Sequence, residues 1–198
     1  LDTGSIKEVL ARSGLDAEQN HELSRALFSG LVEEDRDLAD FAAQGLTRLE
    51  NRYQQAIQRA EKALETNPVG EPRLSLVGFL LDFARIQWFD PTLQRSYVDR
   101  AVALLEEGWP DRGALDSKEV VVLYARAELM RNDLAAATHL LSTVESEEDE
   151  ELLLLEAELA FKRRDLEAVR TTVERLSRLP LDDKSRDLLG LWLSRKER

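Results

Sequence analysis

Two short units, Asn132-Asp133-Leu134 and Arg164-Asp165-Leu166, stand 32 residues apart and break otherwise continuous helical patterning. Each is preceded by a segment with apolar residues at i, i+3, i+4 and i+7 and followed by another. That spacing places the apolar residues on one face of an α-helix. A helix–turn–helix unit that recurs at a fixed period buries its apolar face only by stacking on its neighbours, so the repeat constrains the fold more than any single helix does. Ala137 and Val169 follow three residues after the two leucines, where a small or β-branched side chain lets the second helix of a pair pack on the first. Phe83-Ala84-Arg85, Tyr124-Ala125-Arg126 and Glu156-Ala157-Glu158 each put an alanine in mid-helix, at a point where another helix can approach closely.

Sustained period-two alternation is absent, so the fold class is all-α. The patterning predicts helices at about 5–13, 17–29, 36–66, 73–88, 91–107, 117–131, 134–145, 148–163, 166–178 and 183–195. Gly14 closes the first and Asn67-Pro68 the third. Asp90-Pro91 supplies a cap and an N1 proline, Ser117 caps the helix that follows it, and Asp182 caps the last. Leu23, Ala26 and Leu27, then Leu38, Phe41, Ala42, Leu46 and Leu49, form stripes of shorter spacing that set the first 50 residues apart. The helix over 36–66 then runs from this N-terminal part into the first repeat. Gly45 is its weak point, because an interior glycine costs about 1 kcal/mol relative to alanine.

Composition excludes several kinds of function. The 198 residues carry 39 acidic and 27 basic side chains, a net charge of −12, which disfavours nucleic acid or an anionic membrane surface as the main partner. With no cysteine there is no disulfide, thiolate metal site or cysteine nucleophile. No glycine-rich phosphate loop occurs, the two histidines are far apart in sequence, and no nucleophile motif is present, so the expectation is a non-enzyme without metal or cofactor. A helical hydrolase using paired carboxylates is the competing catalytic reading. No apolar run approaches the roughly 18 residues of a membrane span. The chain begins at Leu1 and has one methionine, Met130, so the expectation is a processed chain or an excised domain whose anchor or signal lies upstream.

His21, in a polar run, is expected in solvent, and His139 at a surface or edge. The acidic run from Glu145 to Glu151 lacks the alternating ligands of a calcium loop and is expected to complement the dipole of the helix it precedes. Lys162-Arg163-Arg164 is placed for the same reason at the opposite end of that helix. Trp88, Phe89, Tyr97 and Trp109 cluster around an insert and either pack internally or form an aromatic contact surface.

The stretch from Tyr53 to Pro68, with an aromatic residue, Ala56, Ala60, Ala63-Leu64 and a closing proline, closely resembles the second helix of a tetratricopeptide repeat (TPR). The resemblance covers roughly residues 50–180. Later repeats are degenerate: Asn132 and Arg164 replace the turn glycine, and the first-helix tryptophan and glycine are missing. It implies a right-handed α-solenoid in two parts. Residues 1–50 form a HEAT-like cap, and residues 51–198 form TPR-like pairs ending in a C-terminal capping helix. It further implies that first helices line a concave groove. Taking Ala84, Ala125 and Ala157 as equivalent, the candidate partner-binding residues are Leu81, Arg85, Trp88, Val122, Arg126, Leu129, Leu154, Glu158 and Phe161. The lysine and asparagine with which chaperone-binding TPRs clamp a carboxylate are absent. Arg85 and Arg126 suit a segment bearing carboxylates, or pair with nearby acids; both readings stand at this point.

The order of parts, from Glu34–Ala42 through Leu49–Tyr53 to Ala160–Leu166, also resembles the cytoplasmic part of the PelE family. These are TPR-bearing inner-membrane proteins of Pel exopolysaccharide secretion, in which two transmembrane helices precede the soluble part. The resemblance implies a scaffold on the cytoplasmic side of the bacterial inner membrane. It would hold together a cyclic-di-GMP receptor, a glycosyltransferase and a membrane transporter, with no catalytic residues of its own. The other interaction reading is a soluble TPR adaptor that binds a peptide of an unrelated partner.

Overall fold

The computed structural model describes residues 17–31, 36–68, 70–87, 90–110, 117–144 and 149–180. The described residues form eight α-helices and no strand: α1 Ala17–Leu31, α2 Arg36–Thr66, α3 Glu71–Ile86, α4 Pro91–Gly108, α5 Lys118–Arg131, α6 Leu134–Leu141, α7 Glu150–Lys162 and α8 Leu166–Leu176. The expected all-α class holds. The helices predicted over 5–13 and 183–195, with Gly14 and Asp182, lie outside the described residues. The chain divides into two compact units, Leu1–Gly108 and Trp109–Arg198. The boundary expected near residue 50 falls inside α2, which runs unbroken for 31 residues with Gly45 buried. Burial along this helix outweighs the propensity cost of one glycine.

In the first unit α1, α2 and α3 pack on one another, and α3 also packs on α4. Leu23 and Leu27 of α1 bury against Ala42, flanked by Leu31, Phe41 and Leu46. Gly30 brings the two backbones together: a Cβ there would stand 3.1 Å from that of Ala42. Buried Tyr53 and Phe83 stack at 5.8 Å, and Tyr97 meets Phe83 edge-on at 4.7 Å, so Tyr97 belongs to internal packing.

Polar groups fix α1 to α2 and to the C-terminal end of α3. Asn20 Nδ2 donates to Tyr53 Oη of α2 at 3.1 Å, and Ser24 Oγ donates to the Ile86 carbonyl at 2.8 Å. His21 is half-buried with Nδ1 3.0 Å from the Arg85 carbonyl, which corrects the expectation of a solvated side chain. The carbonyl only accepts, so Nδ1 carries the proton. The Ser24 and His21 bonds satisfy carbonyls that the last turn of a helix leaves without intrahelical donors.

Arg73 is buried and clamps the α2–α3 turn to α4. Its guanidinium donates to the carbonyls of Pro68 (3.0 Å) and Leu104 (3.0 Å) and to Glu107 (3.0 Å). At the head of α4 the Asp90 carboxylate accepts from the backbone N–H of Thr92 (3.1 Å) and Leu93 (3.0 Å), the expected cap before an N1 proline.

The described residues of the second unit form two helix pairs, α5–α6 and α7–α8. The first helices also pack on each other. The turns inside the pairs are the same. Asn132 and Arg164 adopt left-handed φ values of 62° and 61°. The N–H of Asp133 donates to the Glu128 carbonyl (2.9 Å) and that of Asp165 to the Ala160 carbonyl (3.0 Å). The N–H of Asn132 and of Arg164 reaches the carbonyl three residues back in each. This is the Schellman closure of a helix C-terminus. The aspartate of each turn then caps the next helix, accepting from Ala136 N (2.9 Å) or Ala168 N (3.0 Å). The pairs start in register too, since Ser117 and Asp149 are N-cap residues of α5 and α7. Ser117 makes no side-chain cap bond, whereas Asp149 accepts from Leu152 N. Ala125, Ala157, Ala137 and Val169 are all buried, as the pattern of small residues predicts.

Candidate partner-binding face

On the first helix of the first pair, Val122 and Leu129 are 2% and 0% exposed. They are core residues, and no partner can reach them in this fold. Leu81 of α3, at 0%, is closed to a partner for the same reason. Arg85 is half-buried, and Trp88 lies outside the described residues. The three candidates on α7 are placed differently: Leu154 is 47% exposed, Phe161 56%, and Glu158 is exposed between them. Positions i, i+4 and i+7 share one face of a helix, so Leu154, Glu158 and Phe161 form a single stripe. Leu81 and Arg85 belong to the first unit and the α5 and α7 residues to the second.

The electrostatics of the second unit are set by pairs between α5 and α7. Arg126 Nη2 donates to Glu151 Oε1 at 2.8 Å, so its charge is already engaged by a nearby acid. Lys118 donates to Asp149. That ammonium holds the Asp149 carboxyl below the usual carboxylate range, against an opposing desolvation cost and with help from the Leu152 N–H. The Asp149 carboxylate in turn pushes Lys118 above the usual lysine value. The acidic residues at the head of α7 therefore act as expected: Asp149 caps, while Glu150 and Glu151 lie in the first turn at the positive end of the dipole. Residues 145–148 lie outside the described residues. Of the basic cluster, Arg163 donates to the Leu134 carbonyl (3.3 Å) and to Thr138 Oγ1, tying the end of α7 to α6. Glu158 has Lys162 Nζ at 3.9 Å, beyond hydrogen-bond length. His139 is exposed, as expected.

Sequence reasoning missed Glu151, Lys118 and Asp149 as the charges that tie α5 to α7. They pair across two helices at sequence separations that no local motif encodes.

Among the described residues no helix is long and apolar enough to cross a membrane. No family model, curated protein or solved structure matches the chain.

Proposed function

We propose that this chain is a non-catalytic protein–protein interaction scaffold, built as a right-handed solenoid of TPR-like helix pairs behind a HEAT-like N-terminal cap. The observation that carries the reading is the repeated unit of α5–α6 and α7–α8. Caps, left-handed turn residue, Schellman bonds and buried small residues recur at one 32-residue spacing. Stacked pairs of this kind present extended faces suited to proteins or peptides. The exposed apolar side chains of α7 are consistent with such use.

The complex we assign it to is the inner-membrane machinery for synthesis and secretion of an exopolysaccharide of the Pel type. The scaffold would act on the cytoplasmic side, beside the cyclic-di-GMP receptor, glycosyltransferase and transporter. Support for this part is the resemblance of the helix order and of the Ala160–Leu166 segment. Affinity purification from native membranes with the chain as bait, followed by mass spectrometry, tests it. Enrichment of polysaccharide-synthesis and transport proteins is the expected result. Recovery of soluble, unrelated partners alone would overturn the secretion assignment and leave a peptide-binding adaptor.

A further inference from the structure

Four cations of α2 lie along one line. Arg48, Arg52, Arg59 and Lys62 stand at i, i+4, i+11 and i+14, and all four are exposed. At 3.6 residues per turn they fall within a sector of about 80°. At 1.5 Å per residue the line runs about 21 Å. The eight exposed residues of α2 from Arg48 to Lys62 are three arginines, one lysine, one asparagine and three glutamines. The two acids in that stretch, Glu50 and Glu61, lie on the opposite side of the helix and are used inside the first unit. Glu50 accepts from Gln87 Nε2 at 3.1 Å, and Glu61 pairs with Arg100 of α4.

The pattern is not one that helix stability selects. An exposed cation on a helix gains from an acid three or four positions away. Arg48, Arg52 and Arg59 have no acid at those positions, in a chain with 39 acidic residues, and Lys62 has only Glu65. Arg48 instead faces Arg52 at i+4, and Arg59 faces Lys62 at i+3, placements of like charge that weaken a helix. Arg52 already interacts within the chain. Arg48, Arg59 and Lys62 make no side-chain hydrogen bond or ion pair with another described residue.

A ligand for this face is anionic and narrow. The chain as a whole carries a charge of −12, so a bilayer or a nucleic-acid duplex would meet repulsion beyond the line of cations. Among the exposed residues from Arg48 to Lys62 there is no aromatic ring for a base to stack on and no apolar side chain to enter a bilayer. Guanidinium, ammonium and amide N–H groups all donate, and the carboxylates of aspartate and glutamate accept from each of them.

We propose that the exposed face of α2 from Arg48 to Lys62 docks an acidic segment of a partner protein, whose carboxylates accept from Arg48, Arg59 and Lys62 and from the amides between them. The proposal rests on the reading of the chain as an interaction scaffold and names the chemistry of one partner segment. It concerns a helix face outside the candidate groove.

The test is fluorescence anisotropy with a labelled octaglutamate peptide and the full 198-residue chain at low salt. Eight extended residues reach about 26 Å, enough to cover the line. Saturable binding is expected, weakening as salt is added. A serine–glycine peptide of the same length should not bind. Arg48→Gln/Arg59→Gln/Lys62→Gln should weaken octaglutamate binding at least about tenfold. Arg95→Gln/Arg170→Gln/Arg178→Gln removes the same charge from other exposed positions and should change it less than about threefold. Both variants alter exposed side chains, and circular dichroism confirms that they fold. Absence of saturable binding, or equal loss in the two variants, would overturn the proposal. Phosphatidylserine vesicles or duplex DNA bound through this face in place of octaglutamate would make the occupant a membrane or a nucleic acid. Self-association lost only in the α2 variant would make it a second copy. Each of these outcomes also overturns the proposal. Failure here with membrane co-purification intact removes this docking face alone; failure of the co-purification with octaglutamate binding intact removes the secretion reading alone.

Discussion

Asp133 and Asp165 make the same hydrogen bond one repeat apart. Each follows a residue in the left-handed region and accepts the backbone N–H three positions on, from Ala136 at 2.9 Å and Ala168 at 3.0 Å. One side chain thus ends a turn and starts a helix, twice, with the same local geometry. Asp133→Ala and Asp165→Ala should each destabilise the fold by about 1 kcal/mol, the usual cost of a lost N-cap. Urea denaturation measures it. No loss in either variant would mean that the caps do not support the turns.

The two left-handed residues differ in how well they tolerate that conformation. Arg164 carries a Cβ into φ 61°, where most non-glycine residues are strained, whereas Asn132 at φ 62° is of a type that visits this region readily. Arg164→Gly should raise stability by about 1 kcal/mol, and Asn132→Gly should change it by less than about half of that. Thermal denaturation of the two variants separates these outcomes.

Leu129 and Phe161 occupy equivalent positions, one 0% and the other 56% exposed. Leu129→Ala should cost about 2–5 kcal/mol, and Phe161→Ala clearly less. Equal costs would show that α7 is covered in the same way as α5 and would remove the basis for a binding face there.

The Lys118–Asp149 pair makes stability depend on pH in a defined direction. The Asp149 carboxyl is lowered, chiefly by its bond to Lys118, so its contribution is present above the ordinary carboxylate range and is lost as pH falls through the lowered value. Lys118 is raised, chiefly by the same bond, so its contribution is present below the ordinary lysine range and is lost as pH climbs through the raised value. The pair therefore stabilises fully between about pH 5 and pH 10. Both side chains are partly exposed, so the gain is below about 1 kcal/mol and weakens with salt. In Lys118→Met, carboxyl NMR titration should show the Asp149 midpoint moving up towards the ordinary range. An unmoved midpoint would contradict the assignment.

Helix positions were legible because their signals are local. Asp90 before Pro91, Asn67-Pro68 after the long helix, and the paired turns at 132–134 and 164–166 fix boundaries close to those observed. The class of the fold follows from the same patterning. What was not legible was which apolar positions are covered. Val122, Leu129, Leu154 and Phe161 read alike in sequence, because periodicity reports that a face is apolar and not what lies against it. His21 was misplaced for a related reason, and the choice between the two readings of Arg126 was open for the same one. Their partners, the Arg85 carbonyl and Glu151, come from other helices, so tertiary packing alone brings them together. Gly45 inside α2 is the weak point that local propensity marks in the helix predicted over 36–66, and it is buried there with the helix unbroken.

Quantitative co-purification from native membranes tests the central claim most directly, comparing the full chain with Leu154→Ala/Phe161→Ala at matched expression and matched thermal stability. An interaction scaffold that uses α7 predicts a defined set of membrane-complex proteins with the parent chain and their loss with the double variant. Equal recovery by both baits would contradict the binding face, and no specific recovery by either would contradict the scaffold itself.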